Sequence, residues 1–247
     1  MSMKNNTLNL DKVSTLVFDF GNTLVEFGAK EVKLNSDQVV EYLTKNFGPC
    51  DREKFDALRK DQILRPYANN YIENDLKSVG IEIVEELYQY KLTDEESDAF
   101  DAYRVDKFLE LISLPQGIDE LLMSLKKNYR LLLISNFPST ECIVRGLDKI
   151  GIKDLFEVIV VSADINLVKP HEKIFERCCN LAKVSAEECL YIGDNWLADV
   201  QGSKRVGMQS ILTKQYISYE GFTPYKGDFE PDAEINHISE LLTLLMK

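Results

Sequence analysis

The sequence predicts an α/β protein with a parallel sheet, interrupted after its first strand by an all-helical segment. Three observations support this class. An apolar run of strand length lies close to the start of the chain, at residues 16–18. Residues 31–113 show helical periodicity with almost no strand signal. In the remainder of the chain, short apolar runs alternate with helical patterns, as expected for strands joined by helical crossovers.

The first predicted strand, residues 16–18, ends at Asp19. Open α/β folds bind their ligands at the carboxyl ends of strands, so this carboxylate is a candidate site residue. Gly21 and Asn22 both tolerate positive φ, which allows a sharp turn directly after it. The hydroxyl of Thr23 can reach the same pocket. Taken alone, however, Asp19 is equally well explained as a cap on a strand end.

The helical segment is expected to form a small domain inserted into a larger one. We place this helical cap at residues 28–114 and the core at residues 1–27 and 115–247. The residues of the cap that are candidates for contact with a ligand are four arginines and three tyrosines: Arg52, Arg59, Arg65, Arg104, Tyr67, Tyr71 and Tyr103. Such arginines are usually solvated and such tyrosines usually packed, so only a minority is expected to touch a ligand.

Pro115 and Gly117 mark the return to alternating strands and helices. Further strands are predicted at residues 130–135, 156–161, 189–192 and 207–213. Helices are predicted at residues 118–125 and 141–150, after Pro170, and at the tail, residues 238–246, while residues 216–231 are predicted as a loop. This alternation implies a doubly wound, Rossmann-like parallel sheet with right-handed crossovers.

The composition excludes several classes of function. A net charge of −12 argues against a nucleic-acid partner and disfavours an anionic membrane surface. No apolar run reaches the roughly 18 residues of a membrane span. Five cysteines without metal-binding spacing, together with the absence of a secretory leader, favour reduced thiols and a cytoplasmic location.

Polar residues follow four predicted strands, and in a doubly wound sheet such ends converge on one crevice. They are Asp19 with Thr23, Ser135 with Asn136, Lys169, and Asp194 with Asp199. Each has an ordinary explanation as a cap, a solvated lysine or a turn acid. Their joint occurrence in this order instead suits phosphoryl transfer through an aspartyl intermediate, with Mg²⁺ screening the repulsion between two anions.

In this interpretation Asp19 and Asp194 are ligands of Mg²⁺, and the carbonyl of Gly21 is a third. Lys169 supplies a compact positive charge to the phosphate and to the aspartyl adduct. The phosphate oxygens are held by the remaining polar residues and by backbone amides: Thr23, Ser135 and Asn136.

These stretches resemble the four motifs of the haloacid dehalogenase-like hydrolase superfamily, in the subgroup with a helical cap inserted after the first motif. The matching residues are Asp19-Phe20-Gly21-Asn22-Thr23, Leu133-Ile134-Ser135-Asn136, Lys169-Pro170, and Gly193-Asp194 with Asp199. The resemblance implies that Asp19 is the nucleophile and Asp194 a metal ligand. It also implies that Asp199 orients Lys169 or supports the metal site.

The match departs from the family pattern at Gly21, where most family phosphatases carry an aspartate that acts as general acid and base. Such catalysis typically contributes about 10²- to 10⁴-fold, and glycine cannot supply it. Three explanations stay open. The substrate has a good leaving group, such as a sugar 1-phosphate or an acyl phosphate, or water or a cap residue substitutes for the acid. Alternatively, the enzyme is a slow, broad phosphatase, or the protein is a metal-binding scaffold without turnover.

The dehalogenase branch of the family also lacks this aspartate, attacks carbon and needs no Mg²⁺. A 2-haloacid dehalogenase is therefore an alternative, although Asp194 has no use in one. The sequence favours a Mg²⁺-dependent phosphatase that acts on a small phosphorylated metabolite, such as a sugar or nucleoside phosphate.

Overall fold

A parallel sheet carries the fold, and the computed structural model describes residues 8–216 and 227–245. The strands are β1 Thr15–Phe18, β2 Arg130–Ser135, β3 Val158–Val161, β4 Cys189–Gly193, β5 Gln209–Thr213 and β6 Ala233–Ile235. Within these described residues their order across the sheet is β3-β2-β1-β4-β5-β6, with parallel pairing throughout. The order reverses between β1 and β4, so a ligand crevice is expected at the carboxyl ends of these two strands.

Helices connect the strands and also form the long segment after β1. They are α1 Ala29–Phe47, α2 Arg52–Ala68, α3 Leu76–Tyr88, α4 Asp94–Leu111, α5 Ile118–Leu125, α6 Thr140–Lys149, α7 Ser162–Ile165, α8 Glu172–Ala182, α9 Gly202–Arg205 and α10 Glu240–Leu245. Side-chain caps fix several starts: Asp51 accepts from Lys54 N before α2, and Thr93 accepts from Glu96 N before α4. The predicted all-helical texture of the segment is confirmed by α1 to α4.

Both faces of the sheet are covered, because alternate residues of each strand point to opposite sides. Leu16 and Phe18 of β1 lie in the cluster that includes residues of α5, α6 and α10. Val17, between them, packs instead with Ile174 and Phe175 of α8. Strands buried on both faces are nearly continuous apolar runs, which is why the sequence signalled them clearly. The predicted doubly wound α/β fold is therefore confirmed.

Helices α1 to α4 have a hydrophobic cluster of their own. It consists of Val39, Leu43, Phe55, Ile83, Val84 and Phe100, all nearly inaccessible to solvent. The second half of α4 belongs to the main core instead, through Phe108 and Leu109. Because one helix serves both clusters, the division at residues 28–114 stays a prediction.

The closing part of the chain differs from the prediction. Strand β6 was not predicted, because a three-residue strand is too short to show a period of two. Helix α10 begins at Glu240, two residues later than predicted. Most of the predicted loop at residues 216–231 lies outside the described residues, as does the end of the predicted tail helix.

All five cysteines are free thiols, at Cys50, Cys142, Cys178, Cys179 and Cys189. Among the described residues, no helix combines the length and the apolar character needed to cross a membrane.

Candidate active site

A cavity of about 340 Å³ lies at the carboxyl edge of the sheet, under helices α2 to α4. The sequence-predicted residues that line it are Asp19, Gly21, Ser135, Asn136, Lys169, Asp194 and Asp199. The carboxyl ends of β1, β2 and β4 therefore converge on one pocket, as the strand order requires.

Asp19 is positioned by the sheet and by a lysine. It directly follows β1, and its backbone N–H donates to Ile192 of β4 at 2.9 Å. Its side chain is 11% exposed, and its Oδ1 accepts from Lys169 Nζ at 2.6 Å. The other oxygen, Oδ2, receives a long contact of 3.4 Å from the Thr23 hydroxyl. The short contact with Lys169 thus fixes one carboxylate oxygen, whereas Thr23 holds the other only weakly.

Lys169 is 2% exposed and uses all three of its N–H donors. Besides Asp19, its Nζ donates to Asp199 Oδ1 at 2.7 Å and to the Tyr191 hydroxyl at 2.8 Å, with the Ile134 carbonyl at 3.3 Å. A buried ammonium with two carboxylate partners is fixed in position and retains its charge.

Electrostatics keep this pair ionised at neutral pH. Burial raises the pKa of Asp19 to about 6, and Lys169 counteracts part of that rise while Asp199 adds to it. For Lys169, burial acts to lower the pKa, but the two neighbouring carboxylates outweigh this and raise it. At pH 7 Asp19 is therefore mainly a carboxylate facing an ammonium group.

Asp194 and Asp199 follow β4. Carboxylate oxygens of Asp19, Asp194 and Asp199 lie within 4.8 Å of one another, a cluster that could hold a metal ion. Both Asp199 oxygens are already engaged, Oδ1 by Lys169 and Oδ2 by the backbone N–H of Asn195 at 2.9 Å. All donors in the cluster are oxygens, which suits Mg²⁺. Within this cluster Asp199 is thus fixed by hydrogen bonds to both of its oxygens.

Gly193 is required by the position of Asp199. A Cβ at Gly193 would lie 2.3 Å from Asp199 Oδ2 and 2.4 Å from its Cγ, which no side chain tolerates. Asp199 itself lies in a π-helical segment, Trp196–Gln201, and such segments are frequent at functional sites. The Gly-Asp pair of the fourth motif thus places Asp194 and makes room for Asp199.

Ser135 and Asn136 end β2 and play different parts. The Ser135 hydroxyl lines the cavity and makes no hydrogen bond within residues 8–216 and 227–245. The Asn136 side chain is committed to the backbone of Lys169, accepting from its N–H at 2.7 Å and donating to its carbonyl at 3.0 Å. The sequence did not signal this second role, which joins the loop after β3 to the end of β2.

The turn after Asp19 is as tight as predicted. Asn22 has φ of 56°, and its backbone N–H donates to Val25 at 2.7 Å. Gly21 does not have positive φ, so its conformation is open to other residues. Thr23 is fully buried and does not line the cavity, so its contact with Asp19 is its link to the site.

The cap candidates separate into two groups. Arg59, Arg104 and Tyr67 line the cavity. The others have partners elsewhere: Arg52 pairs with Asp37 and Asp56, Arg65 with Asp61 and Glu82, Tyr103 donates to the Gln38 carbonyl, and Tyr71 packs against His171.

Three polar residues near the site were missed by sequence reasoning. Tyr191 lies inside an apolar strand and was interpreted as core, although a buried tyrosine usually needs a hydroxyl partner. Glu73 and Gln62 are 7% and 2% exposed and line the cavity. Gln62 lies in α2 and Glu73 in the connection between α2 and α3, and neither belongs to a sequence motif.

Replacing Lys169 by methionine is expected to lower the free energy of unfolding by about 3–5 kcal/mol, because it leaves two buried carboxylates without their cation. Urea unfolding monitored by circular dichroism measures the loss. The matched control is Lys214→Met, whose pair with Glu234 is half exposed and is expected to cost at most about 1 kcal/mol. Equal losses in the two variants would contradict the ion-pair account.

Comparison with known proteins identifies the family. The family model of haloacid dehalogenase-like hydrolases matches residues 16–213. The chain belongs to this family of hydrolases, which confirms the resemblance found in the motifs.

Curated relatives include several phosphatases. Human N-acylneuraminate-9-phosphatase is 28% identical over 137 residues, covering 56% of this chain and 54% of that protein. Glyceraldehyde 3-phosphate phosphatase of Methanopyrus kandleri is 29% identical over 58% of this chain and 61% of its own length. The Pyrococcus furiosus protein of that name is 25% identical over 95% of this chain and 93% of its own. The chain thus spans little more than half of the first two relatives.

Solved structures share the fold. A 2-haloacid dehalogenase from Pseudomonas syringae has a TM-score of 0.73 at 21% identity, covering 95% of this chain and 98% of its own. The HAD-hydrolase YfnB from Bacillus subtilis, bound to magnesium, has a TM-score of 0.68 at 19% identity, with coverages of 95% and 99%. At these identities the likeness concerns the fold alone.

Proposed function

We propose that this chain is a Mg²⁺-dependent phosphatase that hydrolyses small phosphomonoesters through an aspartyl-phosphate intermediate. The observation that carries the proposal is the position of Asp19, which Lys169 holds at 2.6 Å within a cluster of three carboxylates at the sheet edge. The names of the curated relatives, phosphatases of small phosphorylated metabolites, support the same reaction class.

In the proposed reaction Asp19 attacks phosphorus through Oδ2, the oxygen that does not contact Lys169 and that has a long contact with Thr23. Lys169 holds the other oxygen and places its positive charge beside the incoming phosphate. The Ser135 hydroxyl and the backbone amides at the end of β2 bind the non-bridging oxygens. The side chain of Asn136 is occupied by Lys169, so its backbone N–H is the group that we assign to phosphate.

Asp19, Asp194 and the carbonyl of Gly21 are the proposed ligands of Mg²⁺. When bound there, the ion would screen the repulsion between the carboxylate and the phosphate dianion. Asp199 accepts from Lys169 with Oδ1 and from the Asn195 N–H with Oδ2, and it is proposed to position Lys169. Water then hydrolyses the phospho-aspartate and restores the carboxylate of Asp19.

Gly21 cannot donate a proton to the leaving alcohol, so the proposed enzyme favours substrates with good leaving groups. Helices α1 to α4 are proposed to act as the cap that covers the cavity and selects the substrate. The proximity of Asp194 disfavours the dehalogenase alternative, since an unscreened second carboxylate would repel a haloacid anion.

Hydrolysis of p-nitrophenyl phosphate tests the proposal directly, because this ester has a good leaving group. We expect turnover with Mg²⁺ and loss of at least 90% of it in EDTA, restored by added Mg²⁺. No turnover under either condition would point to a binding role. Chloride release from 2-chloropropionate in EDTA, without phosphatase activity, would instead establish the dehalogenase.

A further inference from the structure

Helix α2 presents one continuous face to the cavity. Arg59, Gln62, Ile63, Pro66 and Tyr67 all line it, and this spacing is that of a single helical face. The C-terminal end of the face adjoins the catalytic groups, since the Tyr67 hydroxyl lies 3.5 Å from Asn136 Nδ2. Arg59 lies eight residues earlier, about 12 Å along the helix axis. The cavity therefore extends well beyond the space that a phosphate fills.

Arg59 brings an unpaired positive charge to the far end of the cavity. Within residues 8–216 and 227–245 it makes no hydrogen bond and no ion pair, although it is partly buried. Burial accordingly lowers the pKa of Arg59. Arg52, on the same helix, is satisfied by contacts of 2.6 Å to Asp37 and 2.8 Å to Asp56. Arg59 therefore differs from Arg52, its neighbour two turns away, in having no carboxylate partner among the described residues.

Arg104 of α4 adds a second positive charge nearby. It is 6% exposed, its Nη1 donates to the Leu76 carbonyl at 2.5 Å, and Asp101 lies 3.9 Å away, beyond hydrogen-bond distance. Burial, together with the charge of Arg59, lowers the pKa of Arg104 to about 9, although Asp101 acts in the opposite direction. The two guanidinium groups therefore repel each other, and an anion between them would relieve that repulsion.

Glu73 lines the cavity in addition to the three aspartates of the carboxylate cluster. Its carboxyl group accepts from the Ser162 hydroxyl and, at 2.7 Å, from the backbone N–H of Asn74. Burial raises the pKa of Glu73, and its two hydrogen bonds act in the opposite direction. It does not contact either arginine in any hydrogen bond or ion pair within the described chain. The far end of the cavity thus stays positive.

The space between the two charged ends suits a carbon skeleton. Ile63, Val79 and Phe108 line it with apolar surface. Gln62 contributes one acceptor, because its Oε1 is buried without a hydrogen-bond partner in the described chain while its Nε2 donates to Val79 and Glu82. A buried acceptor without a donor is costly, so a substrate hydroxyl or amide N–H would satisfy it.

We propose that the enzyme acts on phosphomonoesters whose far end carries a second anionic group, a carboxylate or a phosphate, bound by Arg59 beside Arg104. The proposal rests on the proposed function and names its substrate class. A compact diphosphate or a short phospho-acid does not fit this spacing, because its two anionic groups are only a few bonds apart. The substrate is instead an elongated one with several atoms between its charges.

Binding of phosphonates to the full chain with Mg²⁺ tests this, because C–P bonds are not hydrolysed. Isothermal titration calorimetry would compare 6-phosphonohexanoate with hexylphosphonate, and phosphonoacetate with ethylphosphonate. Because its carboxylate can form a charge-assisted pair with Arg59, 6-phosphonohexanoate is expected to bind at least tenfold more tightly than hexylphosphonate. Phosphonoacetate is too short to reach Arg59 and is expected to bind no more tightly than ethylphosphonate. Hexane-1,6-bisphosphonate distinguishes a second phosphate from a carboxylate as the preferred anion.

In Arg59→Gln the tenfold ratio is expected to fall to about one, and Arg59→Lys is expected to restore part of it. The matched control, Arg52→Gln, keeps the ratio. The inference would be overturned if the wild type bound 6-phosphonohexanoate and hexylphosphonate with equal affinity, or if it bound neither. A tenfold preference for 6-phosphonohexanoate that persisted in Arg59→Gln would also overturn it. Hydrolysis of p-nitrophenyl phosphate tests the proposed phosphatase function separately. Failure of that function can therefore be distinguished from failure of the inference about Arg59.

Discussion

Asp19→Asn is expected to reduce Mg²⁺-dependent hydrolysis of p-nitrophenyl phosphate by at least about 10³-fold, since loss of a nucleophile removes the covalent route altogether. Asparagine keeps the size of the side chain, and its amide oxygen can still accept from Lys169, whose Nζ lies 2.6 Å from Asp19 Oδ1. The fold should therefore survive. The loss of activity is measured as kcat/KM from initial rates. A circular dichroism spectrum and a urea unfolding curve of the same variant check that the fold survives.

The matched control is Asp11→Asn, which changes an exposed aspartate far from the cavity and should leave the rate unchanged. A second readout separates chemistry from binding. Wild-type protein trapped with acid during turnover should carry phosphate on Asp19, detectable as a mass increase of the peptide around it. An undiminished rate in Asp19→Asn would end the proposed mechanism, whatever the mass spectrum showed.

Gly21→Asp is expected to raise kcat/KM for an alkyl phosphate by about 100-fold, because it supplies the missing general acid. The structure has room for the change. A Cβ at Gly21 has its nearest neighbour, Phe27 Cβ, at 3.9 Å, an ordinary contact, and the backbone there does not have positive φ. The gain should be small for p-nitrophenyl phosphate, whose leaving group needs no proton.

Gly21→Asn is the control, because it has nearly the same shape and no proton to donate. The informative quantity is the ratio of alkyl to aryl phosphate hydrolysis in the two variants. If the aspartate variant gains no more than the asparagine variant, then another group already protonates the leaving alcohol. In that case the cavity-lining Glu73 and Tyr67 would become the next residues to test.

Much of the site could be predicted because its parts follow strands in a readable order. The apolar runs fixed the ends of β1, β2 and β4, and parallel strands bring such ends to one edge. Lys169 illustrates the success: 150 residues separate it from Asp19 in sequence, yet the two side chains lie 2.6 Å apart. The geometry of a doubly wound sheet, rather than any local pattern, made that contact predictable.

The residues that escaped prediction are those whose role depends on tertiary orientation. Arg52 and Arg59 are two turns apart on α2 and look alike in sequence, but only Arg59 lines the main cavity. Tyr191 has apolar neighbours on both sides along β4, so the sequence gives no sign of a polar role. Its hydroxyl is explained only by the structure, in which it accepts a hydrogen bond from Lys169. Strand β6 exists because β5 offers it an edge, which a three-residue sequence cannot indicate.

The amide of Asn136 has a consequence for the entropy of binding. It bonds both the N–H and the carbonyl of Lys169, 33 residues away, so the end of β2 and the loop that carries the lysine are joined before any substrate arrives. Ordering a loop during binding would consume part of the interaction energy. Here Ser135 and Lys169 are held in one rigid arrangement from the outset. In the proposed reaction their contacts with phosphate can therefore contribute to the rate instead.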